Sequence, residues 1–112
     1  MDKVNQLHQV ILRLLEEYTA SHSQDDDCSP YHLVVDEGAK RYVLFEMGFH
    51  QRSFYHITLF HLTIQDDKIW IFEDKSEDRL TELLLDKGVS SGEIVLGYFS
   101  EAYRAFTDFA MA

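Results

Sequence analysis

Six histidines and a knot of carboxylates are the residues of this sequence whose types could do chemistry. His50, His56 and His61 fall in one stretch, and imidazoles converging on a point would hold a zinc ion or move protons. Their spacing works against convergence. His56 and His61 are five apart, and along a strand an odd separation sends side chains to opposite faces unless a bulge intervenes. No His-x-His and no helical i, i+4 pair exists, and His8 and His22 are fourteen apart. Glu73, Asp74 and Glu77 crowd together, and Glu73-Asp74-Lys75 satisfies the short Glu-x-Lys pattern of metal-dependent nucleases. That pattern is common by chance in a chain with 27% charged residues, and acids beside a helix start are favoured by the helix dipole alone. The Gly-x-Ser-x-Gly elbow, the phosphate-cradling loop ending in Gly-Lys and the Gly-x-Gly-x-x-Gly turn are all missing. No catalytic, metal-binding or cofactor-binding residue is assigned, and no cofactor is expected.

Asp25, Asp26 and Asp27 lack the spaced ligands and turn glycine of a calcium loop. Beside them, the lone Cys28 has no disulfide partner, and its acidic neighbours disfavour a thiolate.

The elements that must position these groups follow from periodicity. With 112 residues, 46% of them hydrophobic, one domain over residues 1–112 can bury roughly 65% of its unfolded surface without staples. Val4, Leu7, Ile11, Leu14, Leu15 and Tyr18 recur at helical intervals behind Asp2, a fitting N-cap. A polar loop follows. From Tyr31 to Glu73 the period changes to two: strands at 31–36, 41–49, 53–64 and 68–72, joined by turns so short that neighbours must be antiparallel. The predicted fold class is therefore α+β, built on a four-stranded antiparallel meander. Both faces carry apolar side chains, with Ile69 and Ile71 on one and Trp70 and Phe72 on the other. Helices are expected mainly on one face, which leaves the second for another copy of the chain and a homo-oligomer. Ser76 is the expected N-cap of a second helix with Glu77 and Asp78 in its first turn, and Gly88 its stop. Ser90 to Glu93 resembles a capping box. Residues 94–99 read as a short extended, buried segment. A short C-terminal helix capped by Ser100 would turn Tyr103, Phe106 and Phe109 inward.

The net charge of −10 is spread along the chain. DNA affinity rests on neutralised phosphates, so direct DNA binding is not expected, and Lys40, Arg41 and Arg52 are the only basic cluster in prospect. A basic protein partner suits the charge better. No secretion signal opens the sequence and no apolar run could span a bilayer, so a cytoplasmic protein without membrane contact is expected.

An ordered set of residues runs through the second half: His61 with Ile64, Lys68-Ile69-Trp70-Ile71, Asp74 and Glu77 with Ser76 between them, Gly88-Val89, Ile94-Val95-Leu96-Gly97, Arg104 and Thr107. Together with Tyr42 and Gly48, this set resembles the XisI-like family, the fdxN-element excision controlling factors of cyanobacteria, along nearly the whole chain. Ser76 stands where the family has Thr, Phe49 where Trp is usual, and Phe99 and Glu101 where many members carry His and Pro. The resemblance implies a non-enzymatic accessory factor in heterocyst development. It would contact an XisH-like partner and support a separate site-specific recombinase. An alternative is an antidote-like inhibitor of a nuclease-like XisH partner. His61, Trp70, Asp74, Glu77 and Arg104 are the candidate partner-contact or family-motif residues.

Overall fold

The computed structural model describes residues 2–22 and 30–112; the expectations for Asp25, Asp26, Asp27 and Cys28 lie outside them. Helix α1, Lys3–His22, starts as its sequence predicts. The Asp2 carboxylate accepts the Val4 N–H at 3.1 Å, and its carbonyl accepts that of Gln6 at 3.1 Å. Leu7, Ile11, Leu14 and Leu15 form the buried stripe.

Strands β1 (Tyr31–Asp36), β2 (Arg41–His50), β3 (Ser53–Gln65) and β4 (Lys68–Asp74) pair antiparallel in sequence order. Gln51-Arg52 and Asp66-Asp67 turn two of the corners, all four residues at positive φ. That backbone matches the right-handed twist of a tight hairpin, here without glycine.

The four-stranded antiparallel meander is corrected in one respect: the sheet has five strands and is mixed. The segment read as merely extended is β5, Ile94–Leu96, which pairs parallel to β4. Between them runs α2, Leu80–Asp86, followed by a single 3-10 turn, Ser91–Glu93. This crossover carries the chain back to the end of the sheet where β4 began, so the next strand can join only in the parallel sense. Short-turn logic, which holds from β1 to β4, ends where a helix replaces the turn.

The register divides the sheet into unequal faces. Tyr42, Leu44, Phe60, Leu62, Ile69, Ile71 and Ile94 are fully buried or nearly so and face α1 and α2. On the other face lie Val43, Phe45, Met47 and Phe49 of β2, with Thr58, His56 and Phe54 opposite them on β3. None of these is buried. Two register shifts adjust the pattern, one at Leu59 between the pairs Leu44–Phe60 and Phe45–Thr58, the other at Phe72. The first is the bulge that strand parity left open. Because of it His56, opposite Met47, and His61, opposite Val43, lie on the same face.

Helix α2 stops as predicted and starts differently. Gly88 takes φ 94°, and the Val89 and Gly88 amides donate to Leu84 and Leu85 at 3.1 and 3.0 Å, the paired bonds of a Schellman stop. Its N-cap position is Arg79 rather than Ser76, so Glu77 and Asp78 precede the helix in a turn. The Ser90 box forms: the Glu93 carboxylate accepts the Ser90 amide at 3.0 Å and pairs with Lys3 at 2.6 Å.

The C-terminal aromatic tail is a further correction. Helix α3 is one turn, Glu101–Arg104, and both Tyr103 and Phe106 are exposed; of the three aromatics only Phe109 packs on the core. After α3 the chain bends back and Ala110 donates to Ile94 at 2.8 Å along the outer edge of β5. Edge pairing, not an inward helical stripe, holds the tail.

Candidate functional site

Three of the five candidate residues, Trp70, Arg104 and His61, gather around Phe72 on one side of the sheet, while Asp74 works on the other side and Glu77 stands apart. Asp74 ends β4 on the helix-covered side. One of its carboxylate oxygens accepts the Ser76 amide and hydroxyl at 3.1 and 2.9 Å; the other accepts the Leu80 amide at 2.7 Å. The N-capping carboxylate of α2 therefore comes from the strand before it, and Ser76 serves Asp74 instead of the helix. This explains the shifted helix start, and it leaves that carboxylate committed to holding the β4–α2 corner. Glu77, on the exposed turn, takes no part.

On the opposite side of the sheet, Trp70 lies half-buried, stacked near Phe72 and capped by the Arg104 guanidinium 5.0 Å above its ring. Arg104 also donates through Nε to the Phe99 carbonyl and through Nη1 to that of Met111, each at 3.0 Å. One side chain thus straps both ends of the C-terminal segment and pins it over Trp70. A cation over the face of an indole adds attraction to that strap. The Trp70 Nε1 is buried without a hydrogen-bond partner. Gly97 belongs to the same corner, since a Cβ there would lie 2.7 Å from Phe72 and 3.1 Å from the Ile71 carbonyl. Only glycine lets the chain leaving β5 pass so close to the ring.

His61 sits beside Phe72, and its Nε2 accepts a hydrogen bond from Arg41 at 2.6 Å. Burial and the Arg41 charge hold the imidazole below its ordinary pKa, partly offset by Glu73 across the strand pair. A neutral, acceptor-only Nε2 follows. A separate polar pair lies on the covered face, where His8 Nδ1 and the Tyr42 hydroxyl are hydrogen-bonded. Burial, with Glu37 nearby, pushes that phenol up to about 12.

Among the described residues no three histidines, cysteines or carboxylates come together as metal ligands, and Glu73, Asp74 and Glu77 do not converge. Glu73 instead pairs with Lys75 at 3.3 Å. The corner is built to hold a fold together and to present a surface.

That pattern of strapped corner and required glycine falls on the residues that carry the resemblance, and the family model of the XisI protein matches residues 1–111. The chain belongs to the XisI family. Two crystal structures agree with this XisI assignment. The fdxN element excision controlling factor XisI from Anabaena variabilis shares 26% identity over 99% of this chain and 100% of that one, with a TM-score of 0.81. A XisI-like protein from Anabaena variabilis shares 25% identity over 97% and 99%, with a TM-score of 0.85. No curated protein matches.

The sequence pattern places Phe45, Met47 and Phe49 on one face of β2, and the register adds His32, Phe54 and His56 beside them on the uncovered face. The signal was in the period of two, where both faces of β2 are apolar while the helices suffice for only one. No described helix is long and apolar enough to cross a membrane.

Proposed function

We propose that this chain is a non-enzymatic controlling factor of DNA-element excision that acts through protein contacts. Its partner is an XisH-like protein, and a separate site-specific recombinase does the cutting and joining. Membership of the XisI family over residues 1–111 carries the reading. The charge supports it, because a chain at −10 repels phosphates and attracts basic protein surfaces. Co-expression with the XisH-like protein is the test, and a complex surviving purification at low salt is the expected result. Two separately eluting chains at micromolar concentration would overturn it.

The placement of the acids favours a second reading. Glu16, Glu17, Glu82 and Asp86 are exposed on α1 and α2, with Glu77 and Asp78 on the turn before α2. Such a surface can cover a basic active site, as an antidote covers a nuclease. It predicts that the XisH-like partner cuts DNA alone and stops when this chain is added.

A further inference from the structure

The face of the sheet opposite α1 and α2 remains open from β1 to β3, and its side chains are unusual for water. Phe49 is 74% and Phe54 59% exposed, their rings 5.4 Å apart at the hairpin tip. Below them Phe45 lies between His32 at 5.3 Å and His56 at 5.0 Å. Val34 extends the patch onto β1 at 52% exposure. We propose that this face is where two copies of the chain pair, sheet on sheet, in a two-fold symmetric dimer.

Charge argues for a second copy. A two-fold interface sets a patch against itself, so any net charge on it is doubled and repels. The chain as a whole would fail that condition, but this face does not. Its first acid, Asp36, is the cross-strand partner of Arg41, and its second, Glu73, is matched by Lys75. Glu16, Glu17, Glu82 and Asp86 stand exposed on α1 and α2, on the side that would face away. A single strand of nucleic acid is the natural rival, since bases stack on aromatic sheets. It would need a basic track for its phosphates, and the middle of this face, from Phe45 to Phe54, offers only imidazoles.

Size argues the same way. At about 4.8 Å between strands and 3.4 Å per residue, β1 to β3 present roughly 470 Å² in projection. With side-chain relief that approaches the ~800 Å² each partner contributes to a standard stable interface. The inference is independent of the XisH reading: either can fail alone.

Sedimentation velocity across the micromolar range at neutral pH tests it. A species of twice 13.1 kDa is expected to form on raising concentration. Phe45→Glu and Phe54→Glu should each raise the dimer dissociation constant at least ~30-fold, the loss of a central anchor. Leu85→Glu, 40% exposed on the helix side, should leave it unchanged. Phe54 lies at an exposed tip, so its variant remains informative if Phe45→Glu fails to fold. A wild-type chain that stays monomeric, or a dimer indifferent to Phe54→Glu but lost with Leu85→Glu, would overturn the proposal. So would a face that binds another protein and never its own copy.

Discussion

The two faces of the sheet are built from the same strands, yet they answer to different demands. Tyr42 and Leu44 point down into the buried layer covered by α1 and α2, while Val43 and Phe45, their neighbours in sequence, point to the open side and are half-buried. Burial of the first set supplies the folding energy. The second set is nearly as apolar and makes little use of it within one chain. A sheet that needed only to fold would alternate polar outward, as most one-sided antiparallel sheets do. Apolar residues kept on the open side point to a demand made after folding.

Replacing one phenylalanine on each face is the strongest way to break this contrast. Phe60→Ala, at a fully buried position, should cost about 3–5 kcal/mol. Phe54→Ala, in the same strand, should shift stability by no more than about 0.5 kcal/mol in dilute protein. Urea unfolding of both variants measures the difference, and equal losses would mean that the open face is part of the folding core after all.

The next largest effect separates residues that identify the family from residues that work. Asp74→Ala removes the acceptor of three donors at the β4–α2 corner and should cost about 2 kcal/mol, the range for orphaned donors and lost caps. Glu77→Ala, three residues on in the same motif, should stay within about 0.5 kcal/mol. If Asp74→Ala is as stable as the parent and loses only partner binding, its role is recognition instead of architecture.

Arg104 should contribute less. Its ring contact and two carbonyl bonds suggest about 1 kcal/mol for Arg104→Ala. Arg104→Lys should recover little, because an ammonium cannot lie flat on Trp70 while reaching two carbonyls. Tryptophan fluorescence follows the strap directly, and full recovery by lysine would reduce the role to charge alone.

Much of this was legible in the chain itself. Period-two patterning with short turns places β1 to β4, and Asp2 and Gly88-Val89 mark helix ends through local chemistry. Longer-range effects were not legible. The parallel pairing of β5 depends on where α2 delivers the chain, which no local pattern encodes. Ser76 has every local mark of an N-cap, but Asp74 reaches past it to Leu80. Tyr103 and Phe106 have a helical spacing, and one turn is too short to make it a buried stripe. The shared face of His56 and His61 came from a single extra residue at Leu59, invisible to strand parity.

His61 provides the finest comparison, because its protonation state couples the open face to stability. Its pKa is lowered in the folded chain from an ordinary value of 6.5 by burial and by Arg41, which donates to Nε2. Above pH 6.5 the imidazole is neutral folded or unfolded and contributes no slope. Below it the unfolded chain takes up the proton first, so the folded state loses relative stability as pH falls. The loss stops growing once pH has dropped past the folded pKa. Unfolding measured at pH 7.5 and pH 5.5 should therefore show a smaller decline in His61→Gln than in the parent, since glutamine can accept from Arg41 without titrating. An identical decline in both would assign the pH dependence to other groups and leave the Arg41–His61 contact as a neutral hydrogen bond.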